Sequence, residues 1–145
     1  MADLDTMWFS RDKSDVKPED TQHILVVDDE EAITSLVESF LKSSGYRVTT
    51  YSSGEEALSG LRLNPGNFDL VITDYNMPKI SGIQLAAEIG NLKSEIPVIL
   101  MSGDFSRFLK EKEAALGLKG CIAKPFSLDN LLVAVRKVLA GGLYF

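Results

Sequence analysis

The sequence predicts an α/β domain in which a five-stranded parallel β-sheet carries helices on both faces. Three short apolar runs are continuous and partly β-branched, as in strands buried on both faces of a parallel sheet: residues 24–27, 70–72 and 98–101. Longer amphipathic segments separate them, and right-handed crossovers then place helices on both sides of the sheet. The length of 145 residues suits one domain with a full hydrophobic core.

Strand and helix candidates alternate from residue 23 onward. Two weaker strand candidates are residues 48–51 and 121–123. Two segments carry apolar side chains at the spacing of an amphipathic helix: Ile33, Leu36, Val37, Phe40 and Leu41, then Leu128, Leu131, Leu132 and Val135. Three segments with less regular stripes are also expected to be helices: 55–63, 82–92 and 105–116. Gly45 and Gly90 stand where helices should end, and Ser127 is a suitable N-cap for the last helix.

The composition disfavours several classes of protein. Apolar residues make up 45% of the chain and charged residues 25%, which is ordinary for a soluble folded domain. The net charge of -6 lacks the basic excess that phosphate-backbone binding requires, so no direct contact with nucleic acid is expected. One cysteine and one histidine allow neither an intramolecular disulfide nor a structural zinc site.

Neither a membrane span nor a secretion signal is expected. The aliphatic stretch at residues 96–101 contains Pro97 and is far shorter than a membrane span. The polar N-terminal residues lack the apolar core of a signal peptide. These features predict a cytoplasmic protein without a membrane partner.

The two ends of the chain differ from its middle. Residues 1–22 hold six acidic and three basic side chains, which predicts a weakly ordered extension in which Trp8 and Phe9 are possible anchors. Residues 23–140 are the predicted domain. Residues 141–145 are too short for a domain and are interpreted as a C-terminal tail, with a processing or cloning remnant as one reading.

Polar side chains follow four of the five predicted strands. They are carboxylates after the first and third strands, a hydroxyl after the fourth and an ammonium after the fifth: Asp28, Asp29, Glu30, Asp74, Ser102 and Lys124. An open parallel sheet has its ligand site beyond the carboxyl ends of the strands, where the strand order reverses. We therefore expect these side chains to converge on one pocket.

Such a pocket suits a magnesium ion. Carboxylates held together raise one another's pKa unless a cation lies among them. Oxygen ligands with room for water favour Mg2+, and the pocket offers no imidazole or thiolate for zinc. A carboxylate beside Mg2+ can attack phosphorus to form an aspartyl phosphate, while Lys124 and Ser102 neutralise the transferred oxygens.

Each of these side chains also has a purely structural interpretation. The acids at 28–30 can complement the dipole of the following helix. Asp74 can begin a turn, Ser102 can cap a helix, and Lys124 can be a surface lysine. Taken singly, these interpretations are favoured. Taken together they are not, because independent caps and turns have no reason to fall at the same end of consecutive buried strands.

The same segments resemble the receiver domain of two-component response regulators. The resemblance covers about residues 23–140, and five separated segments match in order, including a hydrophobic-Asp-x-x-Met-Pro-x-x-x-Gly pattern in VITDYNMPKISG. It implies a flavodoxin-like (βα)5 fold with strand order 2-1-3-4-5. It also implies that Asp74 is the phosphoacceptor and that Mg2+ is held by Asp28, Asp29, Asp74 and the backbone carbonyl of Asn76.

The resemblance assigns the switch as well. Ser102 and Lys124 match the hydroxyl and the lysine that contact the phosphoryl group, and Pro125 matches a cis proline. Cys121 departs from the pattern, because many receivers carry an aromatic switch residue at this position. We therefore expect Ser102 to move on phosphorylation, with a neighbour such as Phe105 or Phe108 in place of the aromatic ring.

Three small or polar residues are expected to control access to the phosphoryl group. Asn76 and Asp104 lie two residues beyond Asp74 and Ser102, at positions that influence self-dephosphorylation in receivers. Gly103 has no side chain and should keep the pocket open to small phosphodonors. The expected result is an acyl phosphate of modest lifetime.

The implied partners are a histidine kinase or histidine phosphotransfer protein, which donates the phosphate, and a downstream protein or output domain. The latter would bind the face made by the helix at 105–116, the strand at 121–123 and the last helix. The chain is either a single-domain regulator or part of a longer protein. It is expected to catalyse its own phosphorylation and dephosphorylation without being an enzyme toward other substrates.

Two other classes of function remain as alternatives. A magnesium-dependent phosphohydrolase that forms an aspartyl phosphate typically needs a second acid two residues after the nucleophile, where this chain has Asn76. A flavodoxin-like binding module needs a phosphate loop rich in Gly, Ser and Thr, whereas the acids at 28–31 would repel a flavin phosphate.

Overall fold

The computed structural model describes residues 21–92, 95–103 and 117–145. The strands in these ranges are β1 (His23–Val27), β2 (Arg47–Tyr51), β3 (Leu70–Asp74), β4 (Val98–Ser102) and β5 (Leu118–Ala123). The helices are α1 (Glu31–Ser43), α2 (Gly54–Leu63), α3 (Gly82–Gly90) and α4 (Leu128–Leu139), with a 3-10 turn at Pro65–Asn67. The helix predicted at 105–116 and residues 1–20 of the predicted extension lie outside the described residues.

The five strands form one parallel sheet in the order β2-β1-β3-β4-β5. This confirms the predicted architecture and strand order. Because β1 pairs with both β2 and β3, the order reverses at β1. The carboxyl ends of β1 and β3 therefore border the crevice in which open α/β sheets bind their ligands.

The core consists of two apolar layers, one on each face of the sheet. In β1, Leu25 and Val27 contribute to the layer that includes residues of α2 and α3. Ile24 and Val26 contribute to the layer that includes residues of α1 and α4. All four side chains are fully buried, and each contributes about 1.5–3 kcal/mol of transfer free energy. Burial on both faces explains why the sequences of β1, β3 and β4 contain continuous apolar runs.

The helix ends agree with most of the predicted caps. Gly45 follows α1 with a φ of 103°, in the left-handed region that glycine adopts at little cost. The Ser127 hydroxyl accepts a hydrogen bond from the Asn130 N–H (3.1 Å), which confirms the N-cap of α4. Helix α3 ends at Gly90 rather than at residue 92, because the next two N–H groups bond three residues back and tighten the last turn.

His23 is buried at the amino end of β1, opposite the predicted site. Its Nε2 lies 2.7 Å from the Thr49 hydroxyl and its Nδ1 lies 3.1 Å from the Asn67 carbonyl oxygen. Burial and the positive charge of Arg47 lower the pKa of His23, against weaker opposing effects from Asn67 and Asp69. In the neutral imidazole, the Nδ1–H can donate to the Asn67 carbonyl while Nε2 accepts from the Thr49 hydroxyl.

We predict that His23 makes the fold less stable as the pH falls. Its pKa is lower in the folded than in the unfolded chain, so the unfolded chain binds more protons below about pH 6.5. Denaturant unfolding between pH 7.5 and 5.5 should show the free energy of unfolding decreasing with falling pH in the parent, and less steeply in His23→Gln. His23 is the only histidine in the chain. Equal pH slopes for the two proteins would contradict the prediction.

Candidate functional site

The carboxyl edge of the sheet brings together the polar residues that end β3 and β4 and those that follow β1 and β5. Strand pairing aligns Val27 with Thr73, Asp74 with Met101, and Ser102 with Ala123. Each strand therefore ends within about one residue of its neighbour. Asp28, Asp74, Ser102 and Lys124 consequently emerge at one edge although they are spread along almost a hundred residues of sequence.

The ammonium group of Lys124 lies between two carboxylates. Its Nζ is 2.9 Å from Asp28 Oδ2 and 3.1 Å from Asp74 Oδ1. Asp28 is fully buried, and the Asp74 side chain is 10% exposed. Buried charges are tolerated when they are paired and hydrogen-bonded. Lys124 therefore joins the end of β5 to the ends of β1 and β3.

Glu30 is a third acid near the same ammonium group, and its sequence position alone predicts no separate role for it. Its Oε1 lies 3.7 Å from Lys124 Nζ, and its side chain is largely exposed. Its backbone N–H donates to Asp28 Oδ1 (2.9 Å). This second hydrogen bond fixes the orientation of the buried Asp28 carboxylate.

Three carboxylates of the site could share a metal ion. Asp28, Asp29 and Asp74 each offer an oxygen, and these oxygens lie within 4.8 Å of one another. Asp28 and Asp74 are buried while Asp29 is exposed, so the cluster opens toward solvent on one side. The donor set is all oxygen, which fits a hard divalent cation such as Mg2+.

The pKa shifts of Asp74 and Lys124 also fit a site for a cation. Burial raises the pKa of Asp74, the hydrogen bond from Lys124 opposes this, and the nearby charges of Asp28 and Asp29 add to it. Burial alone would lower the pKa of Lys124, but its hydrogen bonds with Asp28 and Asp74 outweigh burial and raise it. Lys124 stays cationic, and a further cation beside Asp74 would favour its ionised form.

The loop after β3 is held in place by backbone hydrogen bonds. The Tyr75 N–H donates to the Met101 carbonyl (2.8 Å), and the Gly82 N–H donates to the Tyr75 carbonyl (2.9 Å). A Cβ on Gly82 would lie 2.3 Å from the Asp74 carbonyl oxygen and 2.8 Å from Leu100 Cδ2. Gly82 therefore lets α3 begin directly against the Asp74 backbone. Gly82 is the final glycine of the Asp-x-x-Met-Pro-x-x-x-Gly pattern, and this close contact explains why the pattern ends in glycine.

The other predicted site residues that are described lie at or just after the ends of β3, β4 and β5. Ser102 is buried, and its carbonyl accepts a hydrogen bond from the Lys124 N–H (2.9 Å). The Lys124–Pro125 peptide bond is cis, the form that the resemblance implies. Asn76 and Gly103 are exposed, and Asp104 lies outside the described residues, as do Phe105 and Phe108.

Cys121 lies in β5, and its side chain is on the face of the sheet that packs against α2 and α3. It is 4% exposed and belongs to the apolar layer that includes residues of α2 and α3. Burial raises the pKa of its thiol to about 12, so it is a neutral thiol at physiological pH. Its environment is that of a small apolar core residue.

The fold and this edge define a flavodoxin-like α/β domain with a carboxylate cluster bridged by one lysine. A family model described as the response regulator receiver domain matches residues 24–136. The chain belongs to this family.

Curated relatives support the same assignment. The chain is 35% identical over 116 residues to the alkaline phosphatase synthesis transcriptional regulatory protein PhoP of Bacillus subtilis (strain 168), covering 80% of this chain and 48% of that protein. It is 38% identical over 108 residues to the two-component response regulator ARR2 of Arabidopsis thaliana, covering 74% and 16%. The chain thus spans less than half the length of these two relatives.

Solved structures give the same result. A receiver domain protein from Clostridium thermocellum has a TM-score of 0.73 and 33% sequence identity, covering 82% of this chain and 94% of that one. The chemotaxis protein CheY4 of Vibrio cholerae has a TM-score of 0.72 and 29% identity, covering 81% and 98%. In the part of the chain that the structure describes, no helix is long and apolar enough to cross a membrane.

We predict that Gly82→Ala destabilises the domain by about 2 kcal/mol, because the added methyl group overpacks the contact with the Asp74 backbone. Gly90→Ala is the matched control, since a Cβ there has no contact within 4 Å among the residues that the structure describes. This control should change the free energy of unfolding by less than about 1 kcal/mol. Chemical denaturation of the three proteins measures both effects, and equal stabilities for the two variants would rule out the steric explanation.

Proposed function

We propose that this chain is a phosphoacceptor receiver module that takes a phosphoryl group onto Asp74 and switches a partner-binding surface. The observation that carries the proposal is the position of Lys124, whose ammonium group lies 3.1 Å from Asp74 and 2.9 Å from the buried Asp28. This arrangement places a fixed positive charge beside the carboxylate that would be phosphorylated.

The proposed reaction is a transfer in which one bond forms and one breaks. An Asp74 carboxylate oxygen attacks phosphorus, the bond from phosphorus to the donor breaks, and an aspartyl phosphate results. The donor is a phosphohistidine of a kinase or phosphotransfer protein. Lys124 and the Ser102 hydroxyl bind the phosphoryl oxygens, and positioning with charge neutralisation supplies the catalysis.

Mg2+ is the proposed cofactor. Asp28, Asp29, Asp74 and the Asn76 carbonyl would hold it, and when bound it supplies positive charge for the phosphoryl oxygens. The burial of Asp28 and Asp74 supports this role, because adjacent buried carboxylates with one ammonium group between them leave negative charge uncompensated.

Hydrolysis of the aspartyl phosphate is proposed to depend on water entering between Asn76 and Asp104. Asn76 and Gly103 are exposed, which supports an open entrance to the site for both water and small phosphodonors. Bulky side chains at these positions would lengthen the lifetime of the acyl phosphate. In this role the chain hydrolyses only the phosphoryl group that it carries on Asp74 and acts on no other substrate.

The proposed switch begins at Ser102. A phosphoryl oxygen on Asp74 would attract the hydroxyl through a charge-assisted hydrogen bond and shift the loop that follows β4. Cys121 has no ring to rotate, and its burial supports a passive role. The readout surface would consist of the segment 105–116, β5 and α4, which would bind a downstream protein or an output domain.

Cytoplasmic localisation and the absence of direct nucleic-acid contact belong to this proposal. The net charge of -6 supports the second point for this domain. One relative is described as a transcriptional regulatory protein, so an output domain that binds DNA would be compatible with the receiver. The phosphohydrolase and flavodoxin-like alternatives gain no specific support from the site.

We predict that Asp74 is the phosphorylation site. Incubation with Mg2+ and acetyl phosphate or phosphoramidate should add one base-labile, hydroxylamine-sensitive phosphoryl group to the parent chain, seen by intact mass. Asp74→Asn should accept none, because the amide is not a nucleophile. Asp129→Asn, a change in the exposed first turn of α4, is the matched control and should be labelled like the parent. Equal labelling of Asp74→Asn would refute the assignment.

We predict that Asp29→Ala weakens Mg2+ binding by about tenfold or more, since it removes one of few anionic ligands. Glu31→Ala removes a neighbouring exposed acid that is not part of the three-carboxylate cluster, so it should change the affinity by less than about threefold through long-range charge alone. Titration calorimetry or amide chemical shifts measure both affinities. Similar losses in the two variants would show that only net charge matters.

A further inference from the structure

The residues after α4 form a turn that returns the chain to the sheet. Gly141 has a φ of 95°, and its N–H donates to the Val138 carbonyl (3.0 Å). The Gly142 N–H donates to the Lys137 carbonyl (2.9 Å). These two bonds and the left-handed glycine make a Schellman motif, which ends a helix and reverses the chain. The sequence Ala140-Gly141-Gly142 thus has a structural role.

The next residues pair with the outer edge of β5. The Cys121 N–H donates to the Tyr144 carbonyl (2.7 Å), and the Tyr144 N–H donates to the Lys119 carbonyl (3.0 Å). Tyr144 forms a parallel bridge with Gly120. Because β5 is the last strand of the sheet, its outward backbone groups would otherwise be open to pairing with another chain.

Gly120 makes this close approach possible. A Cβ at this position would lie 2.8 Å from the Tyr144 carbonyl oxygen, whereas its nearest atom in β4, Ile99 Cγ1, would be at 3.4 Å. A methyl group would therefore conflict with the added segment and only touch the neighbouring strand. The glycine in β5 is explained by the segment that docks beside it.

The side chains of residues 143–145 differ in their exposure to solvent. Tyr144 packs against the apolar layer that includes residues of α4, while Leu143 and Phe145 are 54% and 61% exposed. A cavity of about 260 Å³ lies next to the segment and is lined partly by Tyr144, Phe145 and Phe126. The two Tyr144 backbone hydrogen bonds and the packing of the Tyr144 side chain are among the contacts that hold the segment on β5.

We propose that residues 143–145 act as a strap that occupies the edge of β5 in cis and closes this edge to strand addition by other chains. The edge is a docking surface for an extended segment, and the chain's own C-terminal residues are its occupant. A partner that binds β5 by strand addition would have to displace the strap. Docking of the strap requires neither phosphate nor Mg2+, so its failure and that of the proposed phosphotransfer are separable.

Amide hydrogen exchange of the full chain tests the docking. In the parent, the Cys121 amide should be protected. In Gly120→Ala and in Tyr144→Pro, it should exchange about tenfold faster or more, as expected for the loss of about one backbone hydrogen bond. The amide of Leu100 in β4 should be unchanged. Leu143→Ser alters an exposed side chain and should keep the parent protection. Unchanged exchange of Cys121 in both docking variants would overturn the proposal.

Peptide binding tests whether the edge is a docking surface. Tyr144→Pro removes the N–H that donates to the Lys119 carbonyl, so its own strap should no longer occupy β5. A synthetic peptide of residues 141–145 should then give saturable amide shifts at Lys119 and Cys121 in this variant. The parent should bind it at least about tenfold more weakly, because its own segment competes. The double variant Gly120→Ala/Tyr144→Pro should not bind it. Equal binding to parent and Tyr144→Pro would overturn the proposal.

Sedimentation separates docking in cis from docking in trans. The parent should be monomeric when Cys121 is protected, and this protection should not depend on protein concentration. A dimer whose Cys121 protection is lost on dilution would mean that the segment pairs with a second copy. That result would overturn the proposal of a strap in cis.

Discussion

The contact of the Lys124 ammonium group with Asp28 and Asp74 is the interaction on which the functional edge depends. It joins three strands that are far apart in sequence, and it places the positive charge where two buried carboxylates need it. Neither acid would be tolerated at this depth without such a partner. The stability of the edge and its proposed chemistry therefore rest on the same three side chains.

The parallel sheet is what makes this contact possible. In a parallel sheet every strand ends at the same edge, so a polar residue placed after each apolar run reaches the same pocket. This is why the parallel sheet, both faces of the core and the cluster of Asp28, Asp74 and Lys124 could be predicted from the residues themselves, whereas the strand order followed from the resemblance to receiver domains. The runs of buried residues and the polar residues that follow them are both local signals.

Contacts between distant segments could not be predicted in this way. The burial of His23 between Thr49 and Asn67 depends on the register of β1 with β2 and on the 3-10 turn before β3. Residues 141–145 are too short for a domain and the sequence therefore predicts only a tail, although Gly141 and Gly142 carry a helix-ending signal. The role of Gly120 could not be predicted, because it depends on its contact with Tyr144, which lies more than 20 residues away in the sequence.

β5 combines these local and distant constraints in six residues. Its inner edge pairs with β4, its outer edge accepts Tyr144, and the residue after its end is Lys124. Gly120 lacks a side chain that would conflict with the outer contact, while Cys121 is buried in the apolar layer that includes residues of α2 and α3. Because Cys121 stands where many receivers carry an aromatic switch residue, β5 has no ring to rotate at this position.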